Sequence, residues 1–164
     1  MPFANILKQA DIFYELTPTQ LELVASLCRE RRLNTGDVVF EENTPSDELY
    51  IIAQGEIEIQ VDPSLVGDDT TRPMGPVTIA TLRRGQSFGE VALVDQGLRS
   101  ASAKCAQHGT HLLVIPRDKL MSLCDTYSQL GYRLMRNLAA DLAMKIRNTD
   151  MRIREELLYG HQRR

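Results

Sequence analysis

The sequence predicts a mainly β protein with flanking helices, an α+β chain built on a jelly-roll-like β-barrel of about eight strands. Three observations predict it. Between Leu33 and Ile115, short apolar runs alternate with turn signals. Before and after that stretch, apolar residues recur at helical spacing. From about Tyr127 to Leu158 the helical pattern runs on without a proline, which at 1.5 Å per residue extends about 45 Å, longer than a small domain is wide. We read a single domain over residues 1–164, with N-terminal helices over 1–32, a β-roll over 33–115 and C-terminal helices over 116–160.

A chain of 164 residues, 43% apolar and 25% charged, has the composition of an ordinary globular domain. It can bury a core without covalent staples. The formal net charge of −3 offers no overall basic field to draw in nucleic acid. Cys28, Cys105 and Cys124 are odd in number and form no CxxC pair. They read as reduced thiols in a cytoplasmic protein. The opening MPFANILKQA lacks the basic region and apolar run of a signal peptide, and no run of eighteen apolar residues predicts a membrane span.

Residues 3–15 read as a short helix and a turn. Thr17-Pro18-Thr19-Gln20 carries the marks of a helix start: an N-cap Thr, a Pro at the first helical position and a Gln three residues past the cap. Leu21, Val24, Ala25 and Cys28 continue that helix, and Arg29, Arg31 and Arg32 suit its negative C-terminal end. Thr35-Gly36-Asp37 is a turn, Val38-Val39-Phe40 a strand, Asn43 to Asp47 a loop and Leu49 to Ile52 a second strand. After the turn at Gly55, Ile57, Ile59 and Val61 alternate with Glu58 and Gln60 in a half-buried strand. Asp62 to Pro76 reads as a long exposed loop, whose Asp68 and Asp69 are more commonly solvated than metal-bound. Val77 to Leu82, Ala101 to Ala106 and Leu112 to Ile115 are further strands. His108 and His111 lack further ligands at metal-binding spacing. Pro116-Arg117-Asp118 begins a helix. On the long helix, Met135, Ala139, Leu142, Ile146, Thr149 and Ile153 make a heptad-like seam, while Leu134 and Leu138 form an adjoining face suited to docking on the roll. Eight Lys/Arg against four Asp/Glu from Arg133 onward give a basic tail, a pattern more often solvated than engaged.

The stretch from Phe88 to Ala103, FGEVALVDQGLRSASA, reads as a phosphate-holding loop. Gly89 lets backbone approach a ligand. Glu90 to Leu93 can form one helical turn whose first N–H groups lack partners and face an anion. Arg99 offers a fixed fork of donors to a phosphate. Glu90, an acceptor-only carboxylate, suits a donor such as a sugar hydroxyl. An arbitrary Glu and Arg nine residues apart more often pair across a turn. The complete string Leu82, Gly85, Phe88, Gly89, Glu90, Ala92, Leu93, Arg99, Ser100, Ala101 is far more specific. It resembles the phosphate-binding cassette of cyclic nucleotide-binding domains, here over residues 82–103. The resemblance extends over roughly residues 10–150, and the Arg99-Ser100-Ala101 triplet is closer to the bacterial catabolite activator type than to the kinase type.

That resemblance implies a non-enzymatic sensor with no cofactor and with cAMP or cGMP as its ligand. Arg99 would pair with the cyclic phosphate, helped by N–H groups near Val91 and Ala92. Glu90 would accept from the ribose 2′-hydroxyl, and Ser100 would donate to a phosphate oxygen or reach the purine. Phe88 and Leu93 would support the loop, and Gly89 and Ala101 belong to the same cassette. The place where the long helix meets the base falls near Lys145, with Arg147 and Thr149 as further candidates. A homodimer through residues 130–158 is expected, with signal passing to a partner protein. Activators of this type carry a helix-turn-helix domain after the long helix. With the sequence ending at Arg164, no DNA reading is expected. The other readings are a degenerate fold serving protein interaction without nucleotide, and a cupin-like enzyme, for which His108, His111 and His161 supply too few ligands.

Overall fold

The computed structural model describes residues 3–63, 75–95 and 97–160. Helix α1 (Phe3–Lys8), a 3-10 turn (Asp11–Phe13) and helix α2 (Pro18–Ala25) lead into the strands. Thr17 caps α2 with the reciprocal bonds expected: its side chain accepts from the Gln20 N–H, and the Gln20 side chain accepts from the Thr17 N–H. Strands β1 (Arg29–Leu33), β2 (Val38–Phe40), β3 (Glu48–Gln54), β4 (Glu56–Val61), β5 (Val77–Arg83), β6 (Ser87–Phe88), β7 (Ser102–Cys105) and β8 (Thr110–Pro116) form two four-stranded sheets. Their orders are β1-β8-β3-β6 and β2-β7-β4-β5, with every recorded pairing antiparallel. Helices α3 (Arg117–Thr126) and α4 (Ser128–Gly160) complete the order. The roll with flanking helices and a long last helix is the predicted class.

The apolar runs in β3 and β8 are continuous because both faces of those strands are buried. Leu49 and Ile51 of β3, with Leu113 and Ile115 of β8, face a core shared with the helices, where Leu7, Phe13, Leu120, Leu134 and Leu138 meet them. Tyr50, Ile52, Leu112 and Val114 point the other way, into a second core inside the roll with Ile57 and Phe88. The two-residue period of a strand assigns alternate side chains to the two cores.

Two expectations change. Arg29, Arg31 and Arg32 do not extend a helix. They lie on β1, paired with Val114, Leu112 and His111 of β8. The Arg31 guanidinium donates to the Val38 and Val39 carbonyls, and Arg29 pairs with Glu48. A cation-rich strand suits this sheet edge because charge discourages further pairing. The predicted β-roll therefore begins four residues earlier than Leu33. On α4, Leu134 and Leu138 dock as expected, but Met135 and Leu142 of the heptad-like seam also pack against the helix-side core. The unshared part of the seam is distal, with Ile146 62% and Ile153 51% exposed. Most of the predicted loop, including Asp68 and Asp69, lies outside the described residues, as does His161.

Gly55 makes the β3–β4 turn at φ +100°. A Cβ there would lie 2.7 Å from the Thr110 Cα. Gly55→Ala is expected to lower the unfolding free energy by about 2 kcal/mol or more, since the left-handed torsion and the backbone clash both oppose it. Urea denaturation measures the change as a lower midpoint at unchanged slope.

Candidate functional site

β6 sets Ser87 and Phe88 against Ile51 and Tyr50 of β3, so the chain enters the cassette from the wall of the roll. Gly89 follows at φ +75°. A Cβ on it would lie 2.7 Å from Arg99 Nη1 and 3.0 Å from the Glu48 carbonyl oxygen, so a side chain here would displace the guanidinium. Glu90–Leu93 forms the single 3-10 turn that the sequence predicts.

Arg99 returns to this turn because its backbone is tied to the loop after β2. Its N–H donates to the Thr44 carbonyl, and its own carbonyl accepts from the Asn43 N–H, both at 2.8 Å. Its side chain places Cζ 4.2 Å from the Phe40 ring centroid and 5.8 Å from that of Tyr50. Nη2 donates to the Glu48 carbonyl at 2.9 Å and Nη1 to the Gly89 carbonyl at 3.5 Å. Nε has no hydrogen-bond partner among the described residues. The residue is 6% exposed. Burial pulls the guanidinium pKa down, offset in part by Tyr50, Asp47, Glu48 and Glu90. The group stays charged at neutral pH. Tyr50 stacks on Phe88 with centroids 5.0 Å apart. Burial, reinforced by Glu48, pushes the Tyr50 phenol up to about 12.

Glu90 is 5% exposed. Its Oε1 accepts from the Lys145 ammonium on α4, which also forms an ion pair with Asp141 at 3.0 Å, one turn earlier. Burial alone would lower the Lys145 pKa, but Glu90 and Asp141 outweigh it and the net shift is upward. Between cassette and helix lies a cavity of about 570 Å³, a size suited to a small molecule.

Phe88, Gly89, Glu90, Val91, Arg99, Ser100 and Ala101 all line this cavity, and Lys145 and Thr149 line it from α4. Two candidates do not. Ala92 is fully buried beneath the turn, and its N–H is already donated to the Gly89 carbonyl at 3.1 Å. Arg147 is exposed and lies off the cavity lining, because two residues beyond Lys145 is about 200° around a helix. Asn148 and Arg152 stand on the lining face instead, at the three- and four-residue steps that share one side of a helix. The Thr149 hydroxyl turns back to the Lys145 carbonyl at 2.9 Å. Sequence reasoning misses Phe40, Glu48 and Tyr50 as partners of Arg99. Two aromatics on strands near a phosphate loop are the available signal, but only strand pairing brings them to one guanidinium. Among the described residues, no three His, Cys, Asp or Glu side chains converge as a metal-binding group, and no helix is long and apolar enough to cross a membrane.

The family model of the cyclic nucleotide-binding domain matches residues 30–127. The chain belongs to that family. Over 147 residues it is 30% identical to the cyclic AMP receptor protein of Thermus thermophilus, covering 90% of this chain and 62% of that protein. It is 26% identical over 128 residues to human cGMP-dependent protein kinase 2, covering 78% of this chain and 16% of the kinase. This domain therefore spans less than two thirds of either relative. The crystal structure of Thermus thermophilus catabolite activator protein superposes with a TM-score of 0.71 at 29% identity, over 88% of this chain and 62% of that one.

The raised Tyr50 pKa has a consequence for the domain's stability. The phenol's pKa is higher folded than unfolded, so its contribution is complete below pH 10 and is lost as the pH rises through about 12. Unfolding free energy measured from pH 9 upward should fall over that window, and less steeply in Tyr50→Phe. Equal slopes in the two proteins would contradict the assignment.

Proposed function

We propose that this domain is a non-enzymatic sensor that binds a cyclic nucleotide between the cassette and α4. The observation that carries the reading is Arg99: a nearly buried guanidinium lining a small-molecule cavity beside Glu90, on a loop bearing the family's cassette sequence. Arg99 takes the cyclic phosphate through charge-assisted hydrogen bonds. The N–H groups that open the 3-10 turn, those of Glu90 and Val91, precede its first internal bond and supply further donors. Ser100, exposed at the cavity wall, supplies a hydroxyl. Glu90 accepts from the ribose 2′-hydroxyl, and Asn148 and Thr149 stand where α4 meets the base. The first choice of ligand is cAMP, for which one relative is named, and cGMP is its competitor, for which another is named. We place the protein in the cytoplasm, where the free thiols Cys28, Cys105 and Cys124 stay reduced.

Output passes to a partner protein through α4, in a homodimer joined along residues 130–158. The exposed Ile146, Ile153 and Leu157 support that pairing, since a helix with a second apolar stripe needs a second surface. One observation favours the other reading, a domain that keeps the pocket and serves protein interaction without nucleotide: the Glu90 carboxylate is already engaged by Lys145.

Charge-assisted hydrogen bonds are worth about 1.5–3 kcal/mol each, so Arg99→Ala should weaken cAMP binding at least about tenfold. Isothermal titration of both proteins with cAMP and cGMP reads this; equal affinity would sink the assignment, and no binding by the folded wild type would favour the interaction module. Ile153→Asp should shift the sedimentation of a dimer toward monomer. A wild-type protein that sediments as a monomer at every concentration would rule the pairing out.

A further inference from the structure

The Glu90 side chain is 7% exposed and already holds a cation from another element. Lys145 and Glu90 both line the cavity, so their ion pair forms part of its wall. Asp141, one turn earlier and 16% exposed, holds the same ammonium at 3.0 Å. Two turns further along, Arg152 Nη1 donates to the Ile79 carbonyl of β5 at 2.7 Å. Asp141, Lys145 and Arg152 follow one helix face at steps of four and seven. Polar contacts rather than apolar packing thus join this part of α4 to the roll: beyond Leu142 every described residue of the helix except Lys145 is exposed.

We propose that Lys145 is a built-in competitor for the Glu90 carboxylate, whose ion pair latches α4 over the cavity and must open before a ribose hydroxyl can use that carboxylate. The inference rests on the cyclic nucleotide reading above and adds what sets its threshold. A carboxylate buried to this degree accepts few donors at once, and an ammonium binds it more strongly than a neutral hydroxyl does. Apparent affinity is reduced by the fraction of molecules whose carboxylate is free. The same exchange reports occupancy: a ligand hydroxyl that takes Glu90 frees Lys145 and loosens one of the two polar ties that, among the described residues, join the distal part of α4 to the roll. By reciprocity, a partner that takes Lys145 away from Glu90 raises nucleotide affinity.

The test is calorimetric titration of wild type, Lys145→Met and Lys145→Arg with cAMP and with its 2′-deoxy analogue. Lys145→Met keeps the length of the side chain and removes the cation. It should tighten cAMP about fivefold and leave the 2′-deoxy analogue unchanged, because that ligand has no hydroxyl with which to compete. Lys145→Arg, still cationic, should stay close to wild type. Weaker cAMP binding by Lys145→Met would make Lys145 a ligand contact and overturn the proposal. An equal change for both ligands would reduce Lys145 to a structural residue and overturn it as well. Absence of binding by all three folded proteins is a different result, which removes the nucleotide reading and the competition together. Hydrogen exchange without ligand reads the latch itself: amides of residues 141–152 should exchange faster in Lys145→Met, and unchanged rates would overturn the latch.

Discussion

A guanidinium that is 6% exposed, with no ion-pair partner among the described residues, is the constraint on which the rest of the site depends. An unpaired buried charge is costly. Here the cost is offset by dipoles and aromatic faces: the Glu48 and Gly89 carbonyls accept from it, and Phe40 lies beneath it. Each of those groups must then be held in place. Phe40 and Tyr50 are fixed by strand packing with Phe88, Gly89 by its left-handed torsion, and the Arg99 backbone by the loop at Asn43 and Thr44. The arrangement leaves Arg99, whose Nε has no hydrogen-bond partner among the described residues, at the wall of the cavity.

The two cores explain how such a site can be connected to a distant helix. β3 and β8 form the wall between them, with side chains alternating into each. Leu93 at the end of the cassette turn belongs to the helix-side core, whereas Phe88 at its start belongs to the roll. The Arg117 Nε also donates to the Ala92 carbonyl at 2.6 Å, tying the turn to the start of α3. The turn therefore spans the boundary. A shift of a few tenths of an ångström in it must be taken up by close-packed neighbours on both sides, and packed interiors transmit such shifts rather than absorb them.

Local rules make much of this legible from the chain alone. The capping box at Thr17 and the short turn after Gly89 depend on residues within four positions of each other, and both are present. Leu134 and Leu138 dock as their spacing requires. The failures are of another kind. Arg29, Arg31 and Arg32 carry no apolar period, so helix and strand are equally open to them until β8 supplies a partner about 80 residues away. Proximity in sequence groups Arg147 with Lys145 and Thr149, whereas the angle around the helix decides which side chain faces the cavity.

The sequence by itself determined the family and the mainly β class, and it singled out Glu90 and Arg99 as the charged candidates of the cassette. These rest on residue type and short spacing, which survive without coordinates. Only the tertiary structure decided what surrounds that pair: the aromatic seat of Arg99, the commitment of the Ala92 N–H to Gly89, and the Lys145 ammonium on Glu90. Those contacts join residues as far apart in sequence as Phe40 and Arg99. They depend on how two sheets and a 33-residue helix close on one another, and no local preference along the chain encodes that distance.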